Sequence, residues 1–201
     1  MKHSSRHLKF LRLATMALFA ISIPSFAYAH VVAGETSGLL HGVTHPFIGL
    51  DHLCAMLAVG LWAAQMGGRA AWLVPLTFVS VMALGGVLGM NAVPLTFAEQ
   101  GIVMSLLVLG VLLAAAIRLP LVASAAVVGV FAVFHGYAHG AEMPQNASGL
   151  AYAAGFMLST ALLHASGISV AWFAGKTGRA QWLRLAGVAI TLCGGGLLFA
   201  G

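Results

Sequence analysis

Two groups of imidazole and carboxylate side chains stand inside otherwise apolar stretches of this chain. The first, in HPFIGLDHLCAMLAVG, holds His45, Asp51 and His52. The second, in FHGYAHGAEMP, holds His135, His139 and Glu142. Neutral imidazole nitrogens and carboxylate oxygens are donors for nickel, cobalt and zinc, whereas a copper(I) path would be lined by thioethers and thiolates. An ionisable side chain at membrane depth is costly, which makes it a functional-site hypothesis by default. His45 and His52 lie two helical turns apart, and on a continuous helix His41, His45, His52 and Met56 form one stripe. Asp51 is placed either to ligate directly or to orient an imidazole from behind. His135, His139 and Glu142 follow i, i+4 and i+7 spacing, so all three share one helical face and could meet one cation. Gly136 and Gly140 leave room there for a neighbouring helix or an ion. The bland alternatives are satisfied polar core residues in the first group and a mutually hydrogen-bonded histidine pair in the second.

Weaker candidates surround these. His164 lies deeper in a later apolar segment and reads either as a relay or exit ligand or as a satisfied core histidine. His30 would offer an amine and an imidazole if the chain were cleaved before it. Thr96 and Glu99 form a T-x-x-E pattern that predicts a capping box. Cys54 and Cys193 fall inside apolar runs without a C-x-x-C motif and read as buried structural thiols. Gly175-Lys176-Thr177 imitates the end of a phosphate loop, but Val170 stands where its first glycine is required, so no nucleotide site follows.

The elements that must position these groups are membrane helices. Of 201 residues, 61% are hydrophobic and 6% charged, against about 25% charged in a soluble domain. The expected fold is all-α, a polytopic membrane helix bundle. Lys2, Arg6, Lys9 and Arg12, the apolar Leu13 to Ile23 and the A-x-A of Ala27-Tyr28-Ala29 have the layout of a signal peptide over 1–29. The mature chain then starts at His30 and forms a single six-helix domain over 30–201. Four of the nine basic residues leave with the signal. The net charge of +5 is therefore no argument for nucleic-acid binding.

Six apolar segments follow, near 37–65, 70–91, 97–117, 119–141, 148–174 and 180–200, each near the ~20 residues of a spanning helix. Pro46 and Gly49 predict a break in the first of them. Gly85, Gly86, Gly89 and Gly194 to Gly196 supply small faces for close helix packing. The remaining bases, Arg69, Arg118, Lys176 and Arg179 in alternate connections and Arg184 near the start of the sixth segment, all fall on one side. The positive-inside rule makes that side cytoplasmic and puts both mature termini in the periplasm. Both histidine groups then lie in the external half.

The H-x-x-x-x-x-D-H of His45, Asp51 and His52, with the F-H-G-x-A-H-G-x-E of His135, His139 and Glu142, resembles the HupE/UreJ family of nickel/cobalt permeases. The resemblance covers essentially the whole chain. It implies a gradient-driven uptake permease of the bacterial inner membrane, not an enzyme. Ni²⁺ or Co²⁺ would be the transported substrate, with no prosthetic group. The six cluster residues would matter for metal passage. Expected partners are the divalent ion and membrane lipid, with no nucleic acid or nucleotide; a homo-oligomer is left open. Metal identity rests on the resemblance, because the ligand set alone would favour copper or zinc. The rival readings are an intramembrane metal-dependent hydrolase using the same residues, and a metal sensor without transport.

Overall fold

The computed structural model describes residues 38–143 and 148–200. The expected signal peptide, and His30 after it, lie outside the described residues. Every regular element among the described residues is helical: α1 (Gly38–Thr44), a single 3₁₀ turn (His45–Phe47), α2 (Leu50–Met66), α3 (Ala70–Met90), α4 (Ala98–Ala114), α5 (Leu121–Ala141), α6 (Gly149–Lys176) and α7 (Gln181–Ala200). Helices α3, α5, α6 and α7 are each long and apolar enough to cross a membrane. The α1 and α2 segments qualify together, but are bent by 80° at their junction. Pro46 sits in the first turn of the 3₁₀ segment, and Gly49, with ψ 121°, breaks the helical run before α2. The stripe His41, His45, His52 and Met56 is therefore not one straight helical face. The break turns its two upper histidines onto a separate arm.

Helix α4 has 17 residues, roughly 25 Å at 1.5 Å per residue, against a hydrocarbon core of ~30 Å. It is shorter than its apolar stretch because Ala116 takes a left-handed conformation, φ 55°. The turn is closed by Ile117 N–H donating to Leu112 O at 2.9 Å and Ala116 N–H to Leu113 O at 3.2 Å. This is the Schellman pattern, with alanine in the place glycine usually takes. Carbonyls released there are met by side chains: Trp62 Nε1 donates to Ile117 O at 2.9 Å, Gln65 Nε2 to Leu113 O at 3.2 Å and Arg184 Nε to Ala114 O at 2.8 Å.

Lipid offers no hydrophobic drive for helix association, so close backbone packing must substitute. Three seams do this. In the α3–α5 pair, a Cβ on Gly85 would strike Val133 O, one on Gly89 would strike Tyr137 O, and one on Gly140 would strike Gly86 O. Residue numbers rise together along this seam, so α3 and α5 run parallel. Helix α6 is seamed to α1 through Gly42 and Gly155, and to α2 through Gly60 and Gly167. The third seam joins α4 to antiparallel α7 through Gly110 and Gly187. Of the expected small faces, Gly85, Gly86, Gly89 and Gly194 pack closely, while Gly195 and Gly196 meet nothing within 4 Å. Trp62, Phe78, Tyr152, Phe156 and Met82 fill the interior and are fully buried. Trp72, Trp172 and Trp182 instead stand outward at the ends that carry Arg69, Lys176 and Arg184. The Lys176 ammonium lies 3.6 Å from the Trp172 ring centroid. Exposed tryptophans beside bases are the signature of a membrane–water boundary.

Candidate metal centre

The bend at Pro46–Gly49 brings both histidine groups together at one end of the bundle. Helix α2 starts at Leu50, so Asp51 falls in a first turn whose N–H groups lack helical partners. Its Oδ1 accepts from the His52 backbone N–H at 2.8 Å and from His52 Nδ1 at 3.0 Å. A carboxylate only accepts, so this contact puts the His52 proton on Nδ1 and leaves a lone pair on Nε2. That Nε2 is buried and has no hydrogen-bond partner. His135, on α5, repeats the arrangement. Its Nδ1–H donates to Phe131 O at 2.9 Å, and its Nε2 is buried without a partner. The mutual bond between His135 and His139 does not form: both ring nitrogens of His139 are buried and unpartnered.

The rings converge. His52 stands with its centroid 5.1 Å from His135 and 4.7 Å from His139, and His45 lies 4.9 Å from His139. His45 Nε2 donates to Glu142 Oε2 at 2.8 Å. This bond from His45 holds the Glu142 carboxyl below its usual range. Phe156 stacks on His139 at 5.0 Å and closes one side. His41 and the buried Tyr152 each sit 6.0 Å from His45. Burial grades inward, from Glu142, whose side chain is 53% exposed, through His45 at 17% and His52 at 11%, to fully buried His135 and His139.

Among the described residues, no three His, Cys, Asp or Glu side chains are aimed at a common point for a metal ion. The reason is visible in the pairs: Glu142 is engaged by His45, Asp51 by His52, and the His52 and His135 rings meet edge to face at 76°. The spacing nevertheless suits an ion. With metal–nitrogen bonds of about 2.0–2.1 Å, two imidazoles at a tetrahedral angle hold their centroids roughly 5 Å apart. The His52–His135 and His52–His139 centroid separations of 5.1 and 4.7 Å fall near that value. A buried lone pair on each of two neighbouring rings, backed by a donor contact on the other ring nitrogen, is the arrangement by which second-shell partners prepare a histidine to ligate.

The protein-family model described as HupE / UreJ protein matches residues 16–197. The chain belongs to the HupE/UreJ family. This HupE/UreJ protein is 45% identical over 185 residues to Protein HupE of Rhizobium leguminosarum bv. viciae, covering 92% of the chain and 96% of that relative. No solved structure matches it.

Several sequence expectations change. The T-x-x-E box does not form, because the N-cap of α4 is Phe97, in a left-handed conformation with no side-chain cap. Glu99 is thereby free of the cap and lies within electrostatic reach of Glu142, Asp51 and His52. The T-x-x-E pattern assigned this carboxylate to a cap; its place on the same side as both motifs was the signal for the cluster. Gly136 and Gly140 admit the backbone of α3, not an ion. Cys54 and Cys193 are free and half-buried rather than buried. His164 is fully buried, yet neither ring nitrogen has a partner, so it is not a satisfied core histidine.

Proposed function

We propose that this HupE/UreJ protein is a gradient-driven uptake permease for Ni²⁺ or Co²⁺ in the bacterial inner membrane. Family membership and a multi-pass apolar helix bundle support metal uptake. The observation that carries the finer reading is the pair of buried, unpartnered Nε2 atoms on His52 and His135, with ring centroids 5.1 Å apart. In this reading residues 1–29 are a cleaved signal peptide and both mature termini are periplasmic. The bent α1–α2 pair is one span and the short α4 is the sixth. Glu142 and His45 meet the hydrated ion at the exposed margin, and His52, His135 and His139 replace its water further in. Asp51 holds the His52 ring for ligation.

No separate energy source is required. A divalent ion entering down ~100 mV gains about 4.6 kcal/mol, from ~2.3 kcal/mol per charge. At about 1.4 kcal/mol per tenfold change, that supports accumulation by roughly three orders of magnitude. Passage requires ligands that bind well enough to admit the ion and weakly enough to release it. The test is uptake of labelled nickel and cobalt into cells carrying wild type, His45→Ala, His52→Ala or His139→Ala at equal protein level. We expect each substitution to reduce uptake at least tenfold. Undiminished uptake in all three would sink the permease reading.

A further inference from the structure

His164 stands apart from the outer cluster and is as completely enclosed. It is 1% exposed, and both of its ring nitrogens lack a hydrogen-bond partner. Whichever tautomer it adopts, one N–H and one lone pair are stranded. A buried polar group in that condition is unfavourable, and an apolar residue of similar shape would remove the penalty. Packing alone therefore gives no reason for an imidazole here.

Its depth can be read from the pairing of α3 with α6. A Cβ on Gly86 would touch the Phe156 ring at 3.3 Å, Thr160 Oγ1 donates to Met82 Sδ at 3.7 Å, and Phe78 and His164 have ring centroids 5.2 Å apart. Residue numbers fall along α3 as they rise along α6, so the helices are antiparallel and these contacts form successive levels. Phe156 marks the level of His139, on which it stacks. Eight residues of helix separate Phe156 from His164, about 12 Å at 1.5 Å per residue. Phe78 bridges the gap: its ring also lies 5.4 Å from His135. The order inward is thus the outer cluster, then the Phe78 ring, then His164. The Met82 thioether sits one turn outward of the last, opposite Thr160. The backbone of His164 is pinned against Gly60 of α2, which fixes where its side chain emerges.

We propose that His164 is a second, inner station for the divalent cation, parted from the outer cluster by the Phe78 ring. This rests on the permease reading above. One imidazole, with a thioether one turn away, is a sparse donor set for a borderline cation. Sparse donors suit the inner step, where the ion must be released toward the end of α6 that carries Lys176. The outer cluster captures, and His164 receives the ion past the aromatic ring.

The test uses the full-length protein in liposomes loaded with a nickel-responsive dye, with Ni²⁺ added outside under an inside-negative potential. Equilibrium dialysis of the same preparations against Ni²⁺ reports binding separately. His164→Leu keeps the buried shape and removes both nitrogens; His164→Met restores one soft donor. We expect His164→Leu to unfold at or above the wild-type temperature, to keep the tighter Ni²⁺ binding within about threefold, and to lose at least tenfold in flux. His164→Met should recover at least a third of wild-type flux. Wild-type flux in His164→Leu overturns the inner station while leaving the permease reading intact. Equal loss of flux in the Leu and Met variants shows that a donor restored at this position does not restore passage, and overturns it too. Absence of flux in the wild type, despite Ni²⁺ binding, removes the permease reading itself, and the inner station with it.

Discussion

Gly136 gives the sharpest test of how the helices hold the histidines in place. It lies on α5 between His135 and the seam with α3. A Cβ there would strike Met82 O and stand 2.8 Å from both Gly86 N and Met82 C, where ordinary contact begins at 3.4 Å. Backbone atoms cannot rotate away, so Gly136→Ala must part the helices. Relieving the 2.8 Å contacts alone takes about 0.6 Å, and the carbonyl requires more, so the shift is roughly 1 Å. Overpacking of this kind costs about 1–3 kcal/mol. The shift also moves His135 relative to His52, whose centroids now stand 5.1 Å apart, close to the separation of two ligands at a tetrahedral angle. A misplacement of ~1 Å commonly costs about 10²-fold in a step that depends on alignment. Gly129 supplies the control, because on the same helix its Cβ would meet only Val81 and Thr77 methyls at 3.9 and 4.0 Å. Thermal unfolding in detergent and labelled nickel uptake should both fall for Gly136→Ala, uptake by ten- to a hundredfold. Gly129→Ala should leave both near wild type. If Gly136→Ala keeps wild-type uptake and unfolding temperature, the seam does not position the site.

Two further substitutions separate folding from function. Glu142→Gln removes the charge from the contact with His45, but that carboxylate is 53% exposed, so the charge contributes at most ~1 kcal/mol to stability; uptake should nevertheless drop at least tenfold at neutral pH. Because His45 depresses the Glu142 carboxyl, the pair's contribution is present above the ordinary carboxylate value of about 4.3. It is lost as pH falls through the lower folded value, so unfolding temperatures of wild type and Glu142→Gln should converge as pH falls below the ordinary carboxylate range. Trp62→Phe removes the donor to Ile117 O and should cost about 1–3 kcal/mol, seen as a lower unfolding temperature, with uptake per folded molecule unchanged.

The site was more legible than its neighbourhood. His45, His52, His135 and His139 stood out because polar groups in apolar sequence need a cause, and helical spacing put the α5 pair on one face. The break before α2 was legible because proline and glycine change the backbone whatever surrounds them. What escaped depended on tertiary partners. The end of α4 was hidden because alanine does not announce a left-handed turn, and the donors that close it, Trp62, Gln65 and Arg184, come from other helices. The capping reading of Glu99 failed because the chain enters α4 through a left-handed Phe97, which places Thr96 outside capping reach. Nor could spacing show that His45 would face Glu142 while His52 faced His135, since that pairing follows from an 80° bend.

The glycine seams have a mechanical consequence. They fasten α3 to α5 on one bank and α1, α2 and α6 together on the other, through backbone contacts that admit no side chain. The contacts of the histidine cluster and of His164 cross from bank to bank: His45 to Glu142, His52 to His135 and His139, Phe156 to His139, and His164 to Phe78. In the proposed permease a cation held by imidazoles from both sides would act as a clasp between two stiff slabs, and its departure would undo the clasp. The seams leave the histidine cluster and His164 on the boundary between these two slabs.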